Sequence, residues 1–283
     1  LRQLAFLLEV DARTLAADGK YRAALERCLS IRRLAQHIAD EATLGYLSSM
    51  PLHWRAFLCI QHVLSSMPPD RDTLTWLQGQ ISTVQGAPPP PGRAMEITLD
   101  DILKFFRMHP EFLATWRESL PELIEDESAR QEILNLTDEE LLQRAGDSFN
   151  RFLASVNRVI GSDMPYQQKY GKLQELKEEL VNHPVDDPVD ILWLFLPSNV
   201  VKQHDIYVRG IANFNATRAA IEIYMVKSET GQLPETLPAH LPKDPFSDQD
   251  FEYDTAKDGF VLRCREKEIG ENKLWEYEFA IAQ

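Results

Sequence analysis

Apolar residues recur along this chain at two different periods, and the change from one to the other divides it. Over the first forty residues Leu4, Leu8, Ala12 and Leu15 keep to one helical face. Gly19 interrupts, and Ala24, Cys28, Ile31, Ala35 and Ile38 resume at alternating steps of four and three. That spacing predicts two amphipathic helices, with Gly19 as the left-handed stop between them. A third helix is expected over 42–66, bent or restarted at Pro51, which has no N–H for an interior bond. Asp70 is placed to cap a fourth over 71–84. "GAPPPPG", Gly86 to Gly92, reads as a stiff proline linker. Beyond it, helices are expected at about 99–108, 110–125, 138–160 and 165–182. Thr98 with Asp101 and Thr137 with Glu140 read as capping boxes.

The last long helix is expected over 199–228. Val201, Val208, Ile211, Phe214, Ile221 and Met225, with Ala212, Ala216, Ala219 and Ala220 beside them, make an apolar face too broad for packing on one side only. After Gly231 the period becomes two. "FEYD", "GFVLRCR" and "LWEYEFAI" alternate and predict strands. Asp258-Gly259 is the expected hairpin turn. The fold class is therefore mainly α: a helical hairpin and bundle, then a long helix with a small antiparallel sheet. The expected domains are 1–198 and 199–283.

Composition narrows the function. The 283 residues are 44% hydrophobic and 26% charged, which suits a globular core. A formal net charge of −14 opposes nucleic acid and anionic lipid as partners. No apolar run reaches the length of a membrane span. The chain opens on Leu1, and an anchor or signal is compatible with a segment before it. Cys28 and Cys59 lie among apolar helical residues, where a thiol behaves as a small hydrophobe. With Cys264 the count is odd, which leaves room for one intrachain bridge.

Two stretches resemble known families. "GKYRAALERC", with Gly19, Tyr21 and Ala24, resembles the turn of a tetratricopeptide repeat. No second copy follows at that period, so a plain αα-hairpin is expected. From Ala219 to Leu262 the chain resembles the soluble part of type II secretion major pseudopilins. The match runs through Ala220, Glu222 and Tyr224, then Gly231, Leu233, Pro234 and Leu237, then Asp244-Pro245-Phe246, then Phe251 and Tyr253. Gly259 belongs to the same expected module. The resemblance implies a helix, a proline turn and a hairpin, in an exported bacterial protein. The hydrophobic leader helix of that family is not in this sequence. Ser247-Asp248-Gln249-Asp250 replaces the family's Gly-x-Pro, and "REKEIGENKLWEYEFAIAQ" replaces its calcium loop. Calcium binding is therefore not implied.

Signatures of catalysis are missing. The sequence holds no Gly-rich phosphate loop, zinc helix or nucleophile elbow. His183, Asp186, Asp187 and Asp190 are the candidate metal ligands, an imidazole and three carboxylates within eight residues. The competing reading is a helix end and a proline turn. No cofactor is expected. His53 with His62, His204 with Asp205, and Glu125-Asp126-Glu127 are further titratable groups without a motif. Trp54, Phe57, Trp76, Phe105, Phe106, Phe112 and Trp116 concentrate in the middle of the chain. If some line a groove, they suit a partner helix or an extended peptide.

The expected function is a non-catalytic interaction or structural protein of the bacterial envelope, periplasmic or otherwise extracytoplasmic. One alternative is a hydrolase with a site between the helical part and the C-terminal module. Another is a cytoplasmic helical adaptor. A protein or peptide is the expected class of partner.

Overall fold

The computed structural model describes residues 1–39, 41–83, 89–124, 127–182, 200–238 and 240–281. The fold is mainly α with a small antiparallel sheet. Among the described residues ten helices precede three strands. They are α1 (Arg2–Ala17), α2 (Tyr21–Ala39), α3 (Thr43–Ser66), α4 (Arg71–Thr83), α5 (Gly92–Met108), α6 (Pro110–Leu123), α7 (Glu127–Asn135), α8 (Asp138–Ile160), α9 (Tyr166–Asn182) and α10 (Val200–Thr230), then β1 (Glu252–Ala256), β2 (Gly259–Arg263) and β3 (Glu276–Ala280). No described helix is long and apolar enough to cross a membrane.

The chain forms two compact units, and neither is a single stretch of sequence. One combines 1–40, 45–89 and 205–283; the other combines 41–44 and 90–204. This division differs from the expected one at 198/199. The first helices pack with the C-terminal module, because α10 needs cover on several sides.

In the first unit α1 and α2 close on small residues. Ala5, Ala12, Ala16 and Ala24 are buried, and Gly19 turns the chain at φ +76°. Leu4 was expected on the inner face but is exposed, as are Leu7 and Val10. The close approach of the two helices selects alanine for the contact and rotates the leucines outward. Cys28 of α2 and Cys59 of α3 form a disulfide, with Cα atoms 5.6 Å apart.

The 205–230 part of α10 belongs to this unit and is covered by several of its elements. Ala212, Ala216, Ala219 and Ala220 are fully buried. The Arg32 guanidinium of α2 lies over Phe214, and Gln78 of α4 donates to Glu222. Toward the sheet, the Tyr224 ring meets Phe260 at 5.4 Å and its hydroxyl donates to the Ala280 carbonyl at 2.5 Å. Ile211 was expected in the core but is only half-buried, while the alanine stripe beside it is fully buried. Gly231, at φ +77°, ends the helix as a left-handed C-terminal stop.

The sheet order is β1-β2-β3, antiparallel throughout. Tyr253 pairs with Leu262, Phe260 with Phe279 and Leu262 with Tyr277, so these residues share the inner face. On the outer face Arg263 pairs with Glu252, Asp254 and Glu276. The free edge of β3 is covered by α3: Gln61 donates to the Glu278 carbonyl, and the Ala280 N–H donates to Ser65 Oγ. Covering an edge in this way blocks pairing with another chain.

Three local expectations need correcting. Ala256 pairs with Gly259, so the hairpin turn is Lys257-Asp258, one residue earlier than expected. Gly259 does not have positive φ. It is required instead by close approach, because a Cβ there would strike the Phe279 carbonyl oxygen of β3. Thr98 does not cap a helix, because α5 begins at Gly92, inside the expected linker. Thr98 accepts the Thr43 N–H at 2.8 Å, within the second unit. Sequence analysis also missed α7. Thr137 with Glu140 does form a capping box, and Asp70 accepts the Asp72 N–H.

The loop before the sheet is organised by Asp244, whose carboxylate is fully buried. It accepts the Phe246 N–H at 3.0 Å, the Ser247 hydroxyl at 2.7 Å and the Arg265 N–H at 2.9 Å. Pro245 is half-buried, while Phe246 and Phe251 are buried. Tyr253 is half-buried and donates to the Pro234 carbonyl at 3.1 Å. Phe246→Ala is expected to cost about 3–5 kcal/mol of stability, read as a denaturant midpoint. Gly259→Val should also destabilise, and a wild-type midpoint for either variant contradicts the packing described. Reduction of Cys28–Cys59 should lower stability by about 3–4 kcal/mol by releasing a loop of that length in the unfolded chain. Melting with and without a phosphine reductant measures it.

Candidate functional site

The first unit contains a groove of about 440 Å³ lined mainly by apolar side chains. Helical spacing supplies two of its walls. Leu47, Met50 and Trp54 follow one another at steps of three and four on α3; Ile206, Arg209, Gly210 and Asn213 share one face of α10. Pro51 lies between them on α3 and has no N–H to offer the Leu47 carbonyl. Lys273 and Trp275, on the segment leading into β3, complete the lining.

Trp275 is held from several directions. Its Nε1 donates to Glu268 Oε2 at 2.7 Å. The Arg209 guanidinium lies over its ring at 4.7 Å and the Lys273 ammonium at 3.8 Å. Trp54 meets it edge-on at 5.8 Å. Glu268 is only 1% exposed and accepts Arg209 Nε at 3.0 Å and Nη2 at 2.5 Å; Arg209 Nη2 also donates to Glu271 at 2.9 Å. A buried carboxylate needs such partners. Backbone bonds between Glu268 and Lys273 close the loop. Arg209 is thus occupied by two carboxylates, whereas Lys273 has none within ion-pair distance among the described residues.

Two polar groups of the groove make no hydrogen bond within the protein, His53 Nε2 and Asn213 Oδ1. Asn213 is 7% exposed. Burial, with the nearby Arg32 charge adding to it, pushes His53 down to about 3. Its ring is therefore neutral at physiological pH. Arg32 is itself lowered to about 10 by burial.

The other sequence candidates fall elsewhere. His183, Asp186, Asp187 and Asp190 lie outside the described residues, as do Glu125 and Asp126. Glu127 pairs with Arg130 on α7. Among the described residues no three His, Cys, Asp or Glu side chains gather as a metal-binding group. His204 is buried and stacks on Tyr166 at 5.9 Å; burial, with Lys169 contributing, lowers it to about 4. Asp205 is buried so close to Gly270 that a Cβ there would strike its carboxylate. His62 lies outside the groove, in a second depression with Arg13 and the β2–β3 hairpin.

The aromatic group singled out from sequence divides. Trp54 lines the groove, and Phe57 packs on Tyr277 at 5.4 Å. Trp76 lies under the Arg22 guanidinium. Phe105 and Phe112 are exposed on the second unit, 5.3 Å apart. Tyr224, Gly231, Pro234, Asp244, Pro245, Phe246, Phe251, Tyr253 and Gly259 all serve helix termination, loop geometry or packing. Sequence analysis missed Arg209, Asn213, Lys273 and Trp275. The available signal was polar residues interrupting the broad apolar face of α10.

Comparison with protein-family models, curated proteins and solved structures finds no match.

Half-buried His53 and buried His204 carry a pH dependence. In the unfolded chain each takes a proton near pH 6.5, whereas folded His53 stays neutral to about 3 and His204 to about 4. The unfolded state then binds more protons. Stability is full above pH 6.5 and declines as pH falls toward 4, by roughly 1.4 kcal/mol per unit for each histidine. Denaturant midpoints at pH 7, 5.5 and 4.5 measure the slope, and His53→Gln should flatten it by one histidine's share.

Proposed function

We propose that the chain is a non-catalytic binding or structural protein of the bacterial envelope, working outside the cytoplasm, with 199–283 as a pseudopilin-like module. The groove between Trp54 and Trp275 carries this reading. It is lined mainly by apolar side chains, and two indoles, one of them pinned, form part of it. Such sites bind through shape and apolar burial, with a few polar groups fixing orientation. A hydrolase needs a base oriented by a partner. His53, the histidine in the groove, is pushed down to about 3 by burial, which leaves it a weak proton acceptor, and its Nε2 is itself buried.

The compartment is supported by the Cys28–Cys59 disulfide, since such bridges persist in oxidising surroundings and are rare in the cytosol. The helix, Asp244 loop and hairpin follow the order expected of the module. Export of the full-length protein in its host, followed by acid quenching and differential alkylation, tests this reading. Cys28 and Cys59 should be oxidised and Cys264 reduced, with the protein in the extracytoplasmic fraction. A cytoplasmic protein with reduced Cys28 and Cys59 would sink the compartment and favour the helical adaptor.

A further inference from the structure

We infer that Phe105, Met108 and Phe112 form a docking surface for a basic amphipathic helix of a partner protein. This rests on the reading of the chain as a binding protein, adds a class of partner, and does not use the Trp54–Trp275 groove.

The apolar part comes first. Phe105 is 40% exposed, Met108 69% and Phe112 53%. They follow one another at steps of three and four across the corner between α5 and α6. The rings gather there: Phe105 lies 5.3 Å from Phe112 and 4.7 Å from His109. Half-buried Phe106 and Trp116 back them, with Phe106 5.9 Å from Phe105 and 6.0 Å from Trp116. Single apolar side chains on a surface are ordinary, whereas a gathered patch points to an interaction. Rings held by other rings lose little freedom when a partner covers them. A helix presents its own apolar residues at the same steps of three and four, whereas a strand presents every second residue.

Charge selects the occupant. From Glu111 to Asp147 the chain has eleven carboxylates, three arginines and no lysine. All three arginines are committed: Arg117 to Asp138, Arg130 to Glu127 and Arg144 to Glu132. Arg107, on α5, is paired with Glu139. The remainder is negative, and part of it borders the rings. Glu111 Oε1 lies 3.3 Å from His109 Nδ1. Asp101 is exposed one turn before Phe105 on α5. Lys104 is the exposed cation beside Phe105, with exposed Asp100 and Asp101 one turn before it. A partner carrying lysine and arginine around an apolar stripe meets both features. Its cations face the carboxylates, and the ring faces attract cations as well. A second copy of this chain, at a formal net charge of −14, would be repelled by the same field, as would an anionic membrane.

The test uses the full chain and a Leu/Lys amphipathic helix as the probe. Two controls accompany it: the same composition in an order that breaks the apolar stripe, and a Leu/Glu helix of the same pattern. Titration calorimetry measures affinity, and the labelled methyl signal of Met108 places the probe. The Leu/Lys helix should bind saturably and shift that signal. Phe112→Ser, at an exposed position, should weaken it about ten-fold, as truncation of an interface anchor does. Glu111→Lys should weaken it too, and added salt should lower the affinity. His62→Ala, in the first unit, should change nothing. Affinity untouched by Phe105→Ser and by Phe112→Ser reduces the binding to unspecific charge attraction and overturns the docking surface. Equal binding of the reordered peptide overturns the helix assignment, and equal binding of the Leu/Glu helix overturns the charge assignment. A dimer in sedimentation that Phe112→Ser dissociates makes this face an interface between copies and overturns the partner. Flotation with anionic vesicles that depends on Phe112 does the same in favour of a membrane. No saturable binding of the Leu/Lys helix to the folded protein overturns the inference altogether. The alkylation experiment reads the compartment alone, so either result can fail without the other.

Discussion

The alanine stripe of α10 is the constraint on which the first unit depends. Four alanines with no exposed surface lie on a single helix that the rest of the unit covers on more than one side. Small side chains contribute little burial each, so stability must come from the number of neighbours they admit. Arg32 and Gln78 reach α10 from α2 and α4, and the aromatic face of the sheet reaches Tyr224. A sheet of three short strands is marginal alone. Here its inner face is covered and its β3 edge is bonded to α3 through Gln61 and Ser65. The N-terminal helices are therefore part of the same packed unit as the C-terminal module.

The groove follows from the same arrangement. α3 is joined to α2 by Cys28–Cys59 and bonded to β3 near its end. Pro51 interrupts its hydrogen-bond ladder between those ties and the helix start. α10 offers Gly210 and Asn213 where a larger apolar residue would have filled the space. The loop carrying Trp275 is fastened by the ion pair of Glu268 with Arg209, a buried carboxylate that would be costly without its cation. An indole anchored in this way forms a rigid wall that loses little freedom when a ligand packs on it.

Burial gives the polar residues of this unit their character. Asp244 is fully buried and satisfied by three donors from its own loop and from Arg265, so its carboxylate acts as a structural pin for Phe246. His53 is half-buried, with its Nε2 fully buried and the Arg32 charge nearby, and stays neutral. Two titratable residues thus become a charged loop-former and a neutral side chain by what surrounds them.

Local pattern by itself determined much of the protein. The period of apolar positions located nine helices, and the switch to period two located the sheet. Gly19, Gly231, Asp70 and Thr137 marked ends that the backbone does adopt, because capping and left-handed φ are properties of a few adjacent residues. α7 escaped because nine polar-rich residues hold too little periodicity to read. Tertiary structure alone decided the rest. The close approach of α1 to α2 turned Leu4 outward, and the backbone of β3 explains Gly259. The partition into 1–40, 45–89 and 205–283 joins segments more than a hundred residues apart, which no local window can see. The groove belongs to that second class. Trp54, Asn213 and Trp275 are neighbours only because α3, α10 and the approach to β3 converge, and convergence is a property of packing rather than of any one segment.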